Sequence, residues 1–349
     1  MNRKQRRTAA KVAKKKPAGS APRAAVDNVV QKAIAAAQAG ALADAESALD
    51  QVLALVPDHA EALHQKGMLL ARTHRAEDGI ALLQKATQQK PGESLYWNNL
   101  AAACLTCHRP SDARVAARKA TELDPKYAMA WRNLAMAASD LGQHREAAEA
   151  LEAASTLAPK DAEVWSGLGL ARIELGDAAR AETAFAKAVA LNPSNAECLS
   201  NLGGLLVKRG RTGEALPHLE KAVALEPDRF TAALHYGIAL ALAGDPAKSL
   251  RWLRRATSIK PQSDTAWGAL ADAAIAAGES TEALDAARRA VEFAPADPSH
   301  RVRFQKLQRG DTPRSTLIEL DLASPAPSSG QGKANEPDPS TSLDQIFIR

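Results

Sequence analysis

Cys104, Cys107 and His108 form the stretch of the chain whose residue types and spacing most suggest chemistry. Their arrangement, Cys-Leu-Thr-Cys-His, has the spacing of a covalent haem-attachment motif. Haem attachment of this type requires export, and no apolar stretch of a secretion signal follows the basic residues at the beginning of the sequence. A zinc site would need a fourth ligand, which no nearby residue offers. We therefore predict that Cys104 packs between helices as a small apolar residue and that neither haem nor metal is bound.

Other reactive residue types are scattered along the chain. The histidines other than His108 share no common spacing, and no His-Glu-x-x-His or Ser-His-Asp grouping occurs. No glycine-rich phosphate loop is present, because Gly203-Gly204 lies within a predicted helix. The sequence thus predicts no catalytic residue, no cofactor and no enzymatic activity.

A strict period of 34 residues organises most of the chain. A period of this length is typical of stacked repeats, in which each unit buries its apolar face against its neighbours. The period is carried by prolines at Pro57, Pro91, Pro125, Pro159, Pro193, Pro227, Pro261 and Pro295. With each proline counted as position 32, the repeats are 26–59, 60–93, 94–127, 128–161, 162–195, 196–229, 230–263 and 264–297.

Each repeat contains two apolar stripes at helical spacing. Positions 4, 7, 8 and 11 fall on one helix face, and positions 20, 24 and 27 fall on another. Positions 8, 20 and 27 are Gly, Ala or Ser in 23 of 24 cases, so two antiparallel helices can approach closely there. Large residues at positions 4, 7 and 24 supply buried area. Tryptophan occupies position 4 in four repeats, as Trp97, Trp131, Trp165 and Trp267.

Glycine and proline mark the ends of these helices. Glycine recurs at position 15, where a left-handed residue would end the first helix at little steric cost. Pro110 and Pro246 stand at the start of second helices, where a missing N–H is tolerated. The proline at position 32 blocks continuation of the second helix, whereas Pro217 lies inside one and should cost a hydrogen bond.

The pattern resembles the tetratricopeptide repeat family, which has an aromatic residue at position 4, Leu-Gly at 7 and 8, alanine at 20 and 27, and proline at 32. The resemblance covers residues 26–297. It implies an all-α fold, an α-solenoid in the form of a right-handed superhelix of eight 34-residue helix-turn-helix units with a concave groove. The chain is also similar to the helical repeat domain of O-linked N-acetylglucosamine transferases and to related peptide-binding scaffolds.

The resemblance implies that first-helix positions 2, 5, 6, 9 and 13 line the groove. Asparagine recurs at position 6, and a row of side-chain amides could clamp the backbone of an extended peptide. The alternative is that asparagine is simply common at this position of the family. The candidate peptide-binding residues at positions 5 and 6 are Asn98, Asn99, Arg132, Asn133, Ser166, Ser200 and Asn201.

Three segments flank the repeats. Residues 1–25 carry nine lysines or arginines and no acid, and we expect a disordered basic arm. Asp297-Pro298 predicts the start of a capping helix over 298–310 with a charged outer side. Residues 311–349 are rich in serine and proline, and we expect a disordered tail. No apolar run is long enough to span a membrane and the cysteines are few, so we expect a cytoplasmic protein.

Three functions are compatible with these features. The first is a non-catalytic protein–protein interaction scaffold or adaptor that binds extended peptide segments in its groove. The second is a substrate-specificity or targeting subunit of a separately encoded enzyme, such as a glycosyltransferase. The third is an adaptor to nucleic acid or an anionic membrane through the basic arm, which lacks aromatic residues for base stacking. The sequence favours the first, with proteins or peptides as partners and no small-molecule substrate.

Overall fold

The computed structural model describes residues 20–73 and 75–310, with side chains from Ala24 onward. Within these ranges the chain forms helices joined by short turns, and no strand occurs. The first helix begins at Ser20 rather than at the boundary expected near residue 26. The rest of the expected basic arm and the expected tail over 311–349 lie outside the described residues.

The described residues divide into two compact units that meet in sequence between Leu157 and Ala158. The first unit contains α1 (Ser20–Gln38), α2 (Leu42–Leu55), α3 (Ala60–Arg72), α4 (Ala76–Gln89), α5 (Ser94–Thr106), α6 (Pro110–Leu123), α7 (Ala128–Asp140) and α8 (His144–Leu157). The second contains α9 (Ala162–Glu174), α10 (Ala178–Leu191), α11 (Ala196–Lys208), α12 (Thr212–Leu225), α13 (Phe230–Leu242), α14 (Pro246–Ile259), α15 (Asp264–Ala277), α16 (Ser280–Phe293) and α17 (Pro298–Gln308).

Within each unit the helices pack as stacked hairpins. Odd-numbered helices from α1 to α15 are the first helices of the sequence repeats and even-numbered ones the second helices. Each first helix packs against its own second helix, and each second helix packs against the next first helix of the same unit. Neighbouring first helices also touch, as α3 with α5 and α5 with α7. The all-α solenoid predicted from the sequence is confirmed.

The predicted helix ends are observed. Wherever the structure describes position 15, this residue adopts a left-handed conformation, and in the third repeat His108 takes this role with a φ of 53°. Pro110 and Pro246 begin their helices, and Pro217 lies inside α12. The corresponding left-handed glycines are Gly40, Gly142, Gly176, Gly210, Gly244 and Gly278.

Small residues at position 8 allow the two helices of a hairpin to meet. A Cβ atom built on Gly169 would lie 2.6 Å from the ring of Phe185, which is 1% exposed. No real Cβ tolerates such a distance, so any larger residue would push α9 and α10 apart. Phe185 therefore fits between these two helices because position 8 of its repeat is glycine.

The tryptophans at position 4 fasten one repeat to the turn before it. The Nε1–H of Trp97 donates to the carbonyl oxygen of Pro91 at 2.9 Å, and Trp131 bonds Pro125 in the same way. Trp165 and Trp267 repeat the contact with Pro159 and Pro261 in the second unit. Each bond provides a donor for the carbonyl of a proline in the turn that follows a second helix.

Helix α17 closes the second unit as predicted. It starts at Pro298 with Asp297 as its N-cap, and Phe304 and Leu307 pack against the apolar cluster of the repeats. Arg301 and Lys306 remain exposed. Among the described residues, no helix combines the length and the apolar character that crossing a bilayer requires.

Candidate binding surfaces

A row of polar side chains joins neighbouring first helices in each unit. The row links position 5 of one repeat to position 6 of the next, 35 residues further on. In the first unit His64 bonds Asn99, and Asn98 bonds Asn133, both at 2.9 Å. In the second unit the Nδ1–H of His235 donates to the backbone oxygen of Ser200 at 3.1 Å. We call the side of the first helices that carries positions 2, 5, 6, 9 and 13 the first-helix face.

The amides of the first unit form a continuous chain of hydrogen bonds. The Nδ2 group of Asn98 donates to Oδ1 of Asn99 at 3.2 Å and lies 3.1 Å from the hydroxyl of Tyr127. Asn133 in turn donates its Nδ2 to Oδ1 of Asn98. Because Oδ1 of Asn99 accepts from Asn98, the Nδ2 group of Asn99 must be the one that faces His64.

His64 is a buried and neutral member of this chain. Its Nε2 atom accepts from Asn99, so the ring proton lies on Nδ1, which is buried and has no partner among the described residues. The ring stacks on Tyr96 with centroids 4.2 Å apart. Burial lowers the pKa of His64 from 6.5 to about 4, although the negative charge of Glu61 opposes that change.

Glu61 anchors the same cluster through its carboxylate. Tyr96 donates its hydroxyl to Glu61 at 2.7 Å, and Gln65 donates its amide at 2.8 Å. Burial alone would raise the pKa of Glu61, but these hydrogen bonds and nearby positive charge outweigh it and lower the pKa. Burial and the bond to Glu61 raise the pKa of Tyr96. An ionised carboxylate therefore lies beside the stacked neutral rings of His64 and Tyr96.

Several predicted site residues are less accessible than an open groove would require. Asn98, Asn99 and Asn133 are 1%, 7% and 2% exposed, and Ser200 is fully buried. Their amides and hydroxyl are turned toward the neighbouring repeat, because adjacent first helices approach closely enough to bond. Arg132, Ser166 and Asn201 are half-buried and keep part of their surface open. Peptide binding by the seven residues stays a prediction, and the buried members would support such a surface rather than form it.

Exposed apolar residues lie beside the amide chain on the first-helix face of the first unit. Met136 and Leu95 are 44% and 42% exposed, and Met68 and Met129 are half-buried. All four occupy positions 2 or 9, one helical turn from the hydrogen-bonded row. The site prediction from sequence missed them, although a signal was available. Every methionine after Met1 stands at one of these two positions.

The first-helix face of the second unit is more polar. Gly204 makes room for His235, since a Cβ on Gly204 would meet the imidazole at 2.5 Å. Asn201 precedes this pair in the row of position 6 residues. Cys198 is buried on α11 and places its Sγ 3.1 Å from Oγ of Ser166. Burial raises the pKa of this thiol. Ser166 is thereby held toward α11.

The end of α5 separates Cys104 from the other two residues of the Cys-x-x-Cys-His stretch. Cys104 is buried inside α5, where burial raises its thiol pKa to about 12. Cys107 follows the helix, and His108 is exposed in the left-handed turn. The predicted packing role of Cys104 is confirmed by its burial.

One group of potential metal ligands occurs among the described residues, where α17 meets α15. Asp264, Asp297 and His300 bring one ligand atom each within 4.8 Å of the others. Arg303 donates to Nδ1 of His300 at 2.9 Å, so the imidazole proton lies on Nε2 and faces Asp264 at 3.2 Å. A metal on Nε2 would need that proton on Nδ1, against the guanidinium. The arrangement fits an ion-pair network that fastens α17, with Arg303 also bound to Asp272.

Two cavities open on the other side of the first unit, between first-helix tryptophans and second helices. One, of about 450 Å³, is lined by Trp131, by Arg118 and Glu122 of α6, and by Glu146 and Glu149 of α8. The other, of about 320 Å³, lies over Trp97 and shares Arg118 and Glu122. These cavities are lined by different residues from the amide row.

Family comparison agrees with the helical pattern. Models described as "Tetratricopeptide repeat" match residues 36–104, 116–149, 133–196, 201–264 and 261–298. Together they cover well over half of the chain, which therefore belongs to the tetratricopeptide repeat family. No curated protein matches the sequence.

Solved structures share the fold at low sequence identity. A chain of the Cut9–Hcn1 hetero-tetramer of APC/C matches with 16% identity and a TM-score of 0.56, over 76% of this chain and 52% of that one. PilF of Pseudomonas aeruginosa matches with 19% identity and a TM-score of 0.52, over 61% and 96%. A tetratricopeptide repeat protein of Parabacteroides merdae matches with 13% identity and a TM-score of 0.50, over 71% and 98%.

These matches support the fold and, with the family, a general role. The chain spans about half the length of the Cut9–Hcn1 chain it resembles. At identities of this size the likeness concerns the fold alone. The repeat family and the fold are those of protein-interaction scaffolds, which are typically non-catalytic.

Proposed function

We propose that this protein is a non-catalytic scaffold that binds extended peptide segments of partner proteins on its first-helix faces. The observation that carries the proposal is a group of exposed and half-buried apolar residues beside a hydrogen-bonded amide row, namely Met68, Leu95, Met129 and Met136. Exposed apolar side chains that lie together on one face are typical of interaction surfaces.

The chemistry of this face suits a range of apolar peptide side chains. Methionine is unbranched and polarisable, so Met68, Met129 and Met136 can adapt to different partners. The amide row behind them is fixed by its own bonds, which lowers the entropy lost when a peptide is held. Half-buried Arg132 and Asn201 keep polar surface through which a peptide backbone could be bound in each unit.

The test selects peptides and then asks which surface they need. Random peptides displayed on phage would be selected against the full chain, and the strongest binder titrated by calorimetry. Met136→Glu and Leu95→Glu should each weaken binding about tenfold or more, because a carboxylate would lose water against an apolar ligand. Leu55→Glu is the matched control, since Leu55 is 76% exposed on a second helix. Equal loss in the control, or failure to select any peptide, would contradict the proposal.

A further inference from the structure

Tryptophans at position 4 are covered by a cation from their own repeat in the second unit. The Nζ atom of Lys187 lies 3.9 Å from the ring centroid of Trp165. The guanidinium of Arg289 lies 4.6 Å from the ring centroid of Trp267. Both cations stand at position 26 of the second helix, and the aromatic face attracts them through its quadrupole. In these two repeats a positive charge therefore lies over the indole.

The fourth repeat lacks this cation. Position 26 is lysine or arginine in six repeats, namely Lys85, Lys119, Lys187, Lys221, Arg255 and Arg289. It is Gln51 in the first repeat, which has no tryptophan, and Ala153 in the fourth, whose tryptophan is Trp131. Trp131 is thus the one position-4 tryptophan in the sequence whose repeat carries no cation at position 26. The methyl group of Ala153 is too short to cover the ring.

The cavity of about 450 Å³ lies at this indole. The carboxylates that line it differ in their ion pairs. Glu146 forms ion pairs with Arg114 and Arg118, and Glu122 pairs with Lys119 at 3.1 Å. Glu149, exposed on α8, has no hydrogen bond or ion pair with any described residue. An aromatic face and an uncompensated carboxylate therefore border the same space.

We propose that the cavity over Trp131 binds a lysine or arginine side chain, and that the segment Arg3–Lys16 of this same chain supplies it. The cation would take the place that Lys187 and Arg289 take in their own repeats. The segment contains eight lysines or arginines and no acid, so its charge is opposite to that of Glu149. This site lies between second helices and is separate from the first-helix face proposed to bind partner peptides.

The test restores the missing cation from inside the repeat. The starting protein is the full chain with the eight cations of Arg3–Lys16 changed to glutamine, and the probe is a synthetic peptide of residues 1–19. Binding is followed through the Trp131 indole N–H resonance, assigned with Trp131→Phe. Ala153→Lys should weaken peptide binding about tenfold, because the new ammonium occupies the indole. Ala153→Gln, matched in length and neutral like Gln51, should change it less than about twofold.

Two further measurements sharpen the result. Glu149→Gln should weaken binding severalfold, and added salt should weaken it in the parent protein, because the attraction is between exposed charges. The Trp131 resonance should also differ between the natural chain and the starting protein, and this difference should persist on dilution.

Several experimental results would rule out binding of Arg3–Lys16 at Trp131. It is overturned if the Ala153→Lys and Ala153→Gln proteins bind the peptide alike, or if a peptide with glutamine in place of its cations binds equally well. It is overturned if the Trp131 resonance does not move. A difference that disappears on dilution would mean that a second copy provides the cation, which also contradicts the assignment to the same chain.

Discussion

Acidification should destabilise the first unit through His64, and the His64→Asn variant should resist this effect. His64 is 3% exposed and stacks on Tyr96, and its neutral form accepts the bond from Asn99. A proton on Nε2 would break that bond and bury a charge. Asparagine is the matched replacement, because Asn98 occupies the equivalent position 5 of the next repeat.

The magnitude follows from the pKa of His64, which burial lowers from 6.5 to about 4. Between these values the unfolded chain binds a proton that the folded chain refuses, so the free energy of unfolding falls as the pH falls. Each pKa unit corresponds to about 1.4 kcal/mol, which gives a loss of about 2 kcal/mol at pH 5 relative to pH 8. The loss approaches about 3 kcal/mol near pH 4 and is absent well above pH 6.5.

Urea unfolding at pH 8, 6 and 5, followed by circular dichroism, would compare the natural protein with His64→Asn. The imidazole of His64 would be titrated by NMR in parallel. Replacing His108, which is exposed, by asparagine is the matched control. The reasoning is refuted if His64 titrates near its ordinary pKa, or if the natural protein and His64→Asn lose the same stability between pH 8 and pH 5.

Three other substitutions test the packing described above, each by its change in the free energy of unfolding. Gly169→Ala should cost about 1–3 kcal/mol because its Cβ would overlap the ring of Phe185. Adding Phe185→Leu should recover part of this loss, and a double-mutant cycle would detect the non-additivity. Trp131→Phe should cost about 1 kcal/mol through loss of the bond to the Pro125 carbonyl, and a neutral outcome would show that water replaces it. Asn98→Ala should cost about 1–3 kcal/mol because it removes the side-chain acceptor of the buried Asn133 amide and leaves only the longer contact to the Asn98 backbone oxygen. Asn201, which is half-buried, is the control, and its change to Ala should cost less.

Helix positions were predictable because their signals are local. The left-handed glycine at position 15 and the proline at position 32 fix where a hairpin turns and where it stops. The Gly169–Phe185 contact was equally predictable, since helical periodicity alone places positions 8 and 24 between the two helices.

The accessibility of the site residues was not predictable in this way. Periodicity places Asn99 and Asn133 on the first-helix face, but their burial depends on how closely the next first helix approaches. That distance is set by packing between residues 35 positions apart, which no single repeat encodes. Recognising the cavity at Trp131 as a candidate site required both the sequence and the structure. Ala153 departs from the repeat visibly in the sequence, yet the departure gains meaning only when Lys187 is seen over its indole.

The linkage of position 5 to position 6 makes the array tolerant of changes in length. Excising residues 94–127 would bring His64 opposite Asn133, a pair of the same two residue types as the natural His64–Asn99. Trp131 would then meet the carbonyl of Pro91 in place of that of Pro125. A gene for such a protein can therefore lose or duplicate a whole period and still encode compatible neighbours, whereas a gain or loss of any other length would misalign them.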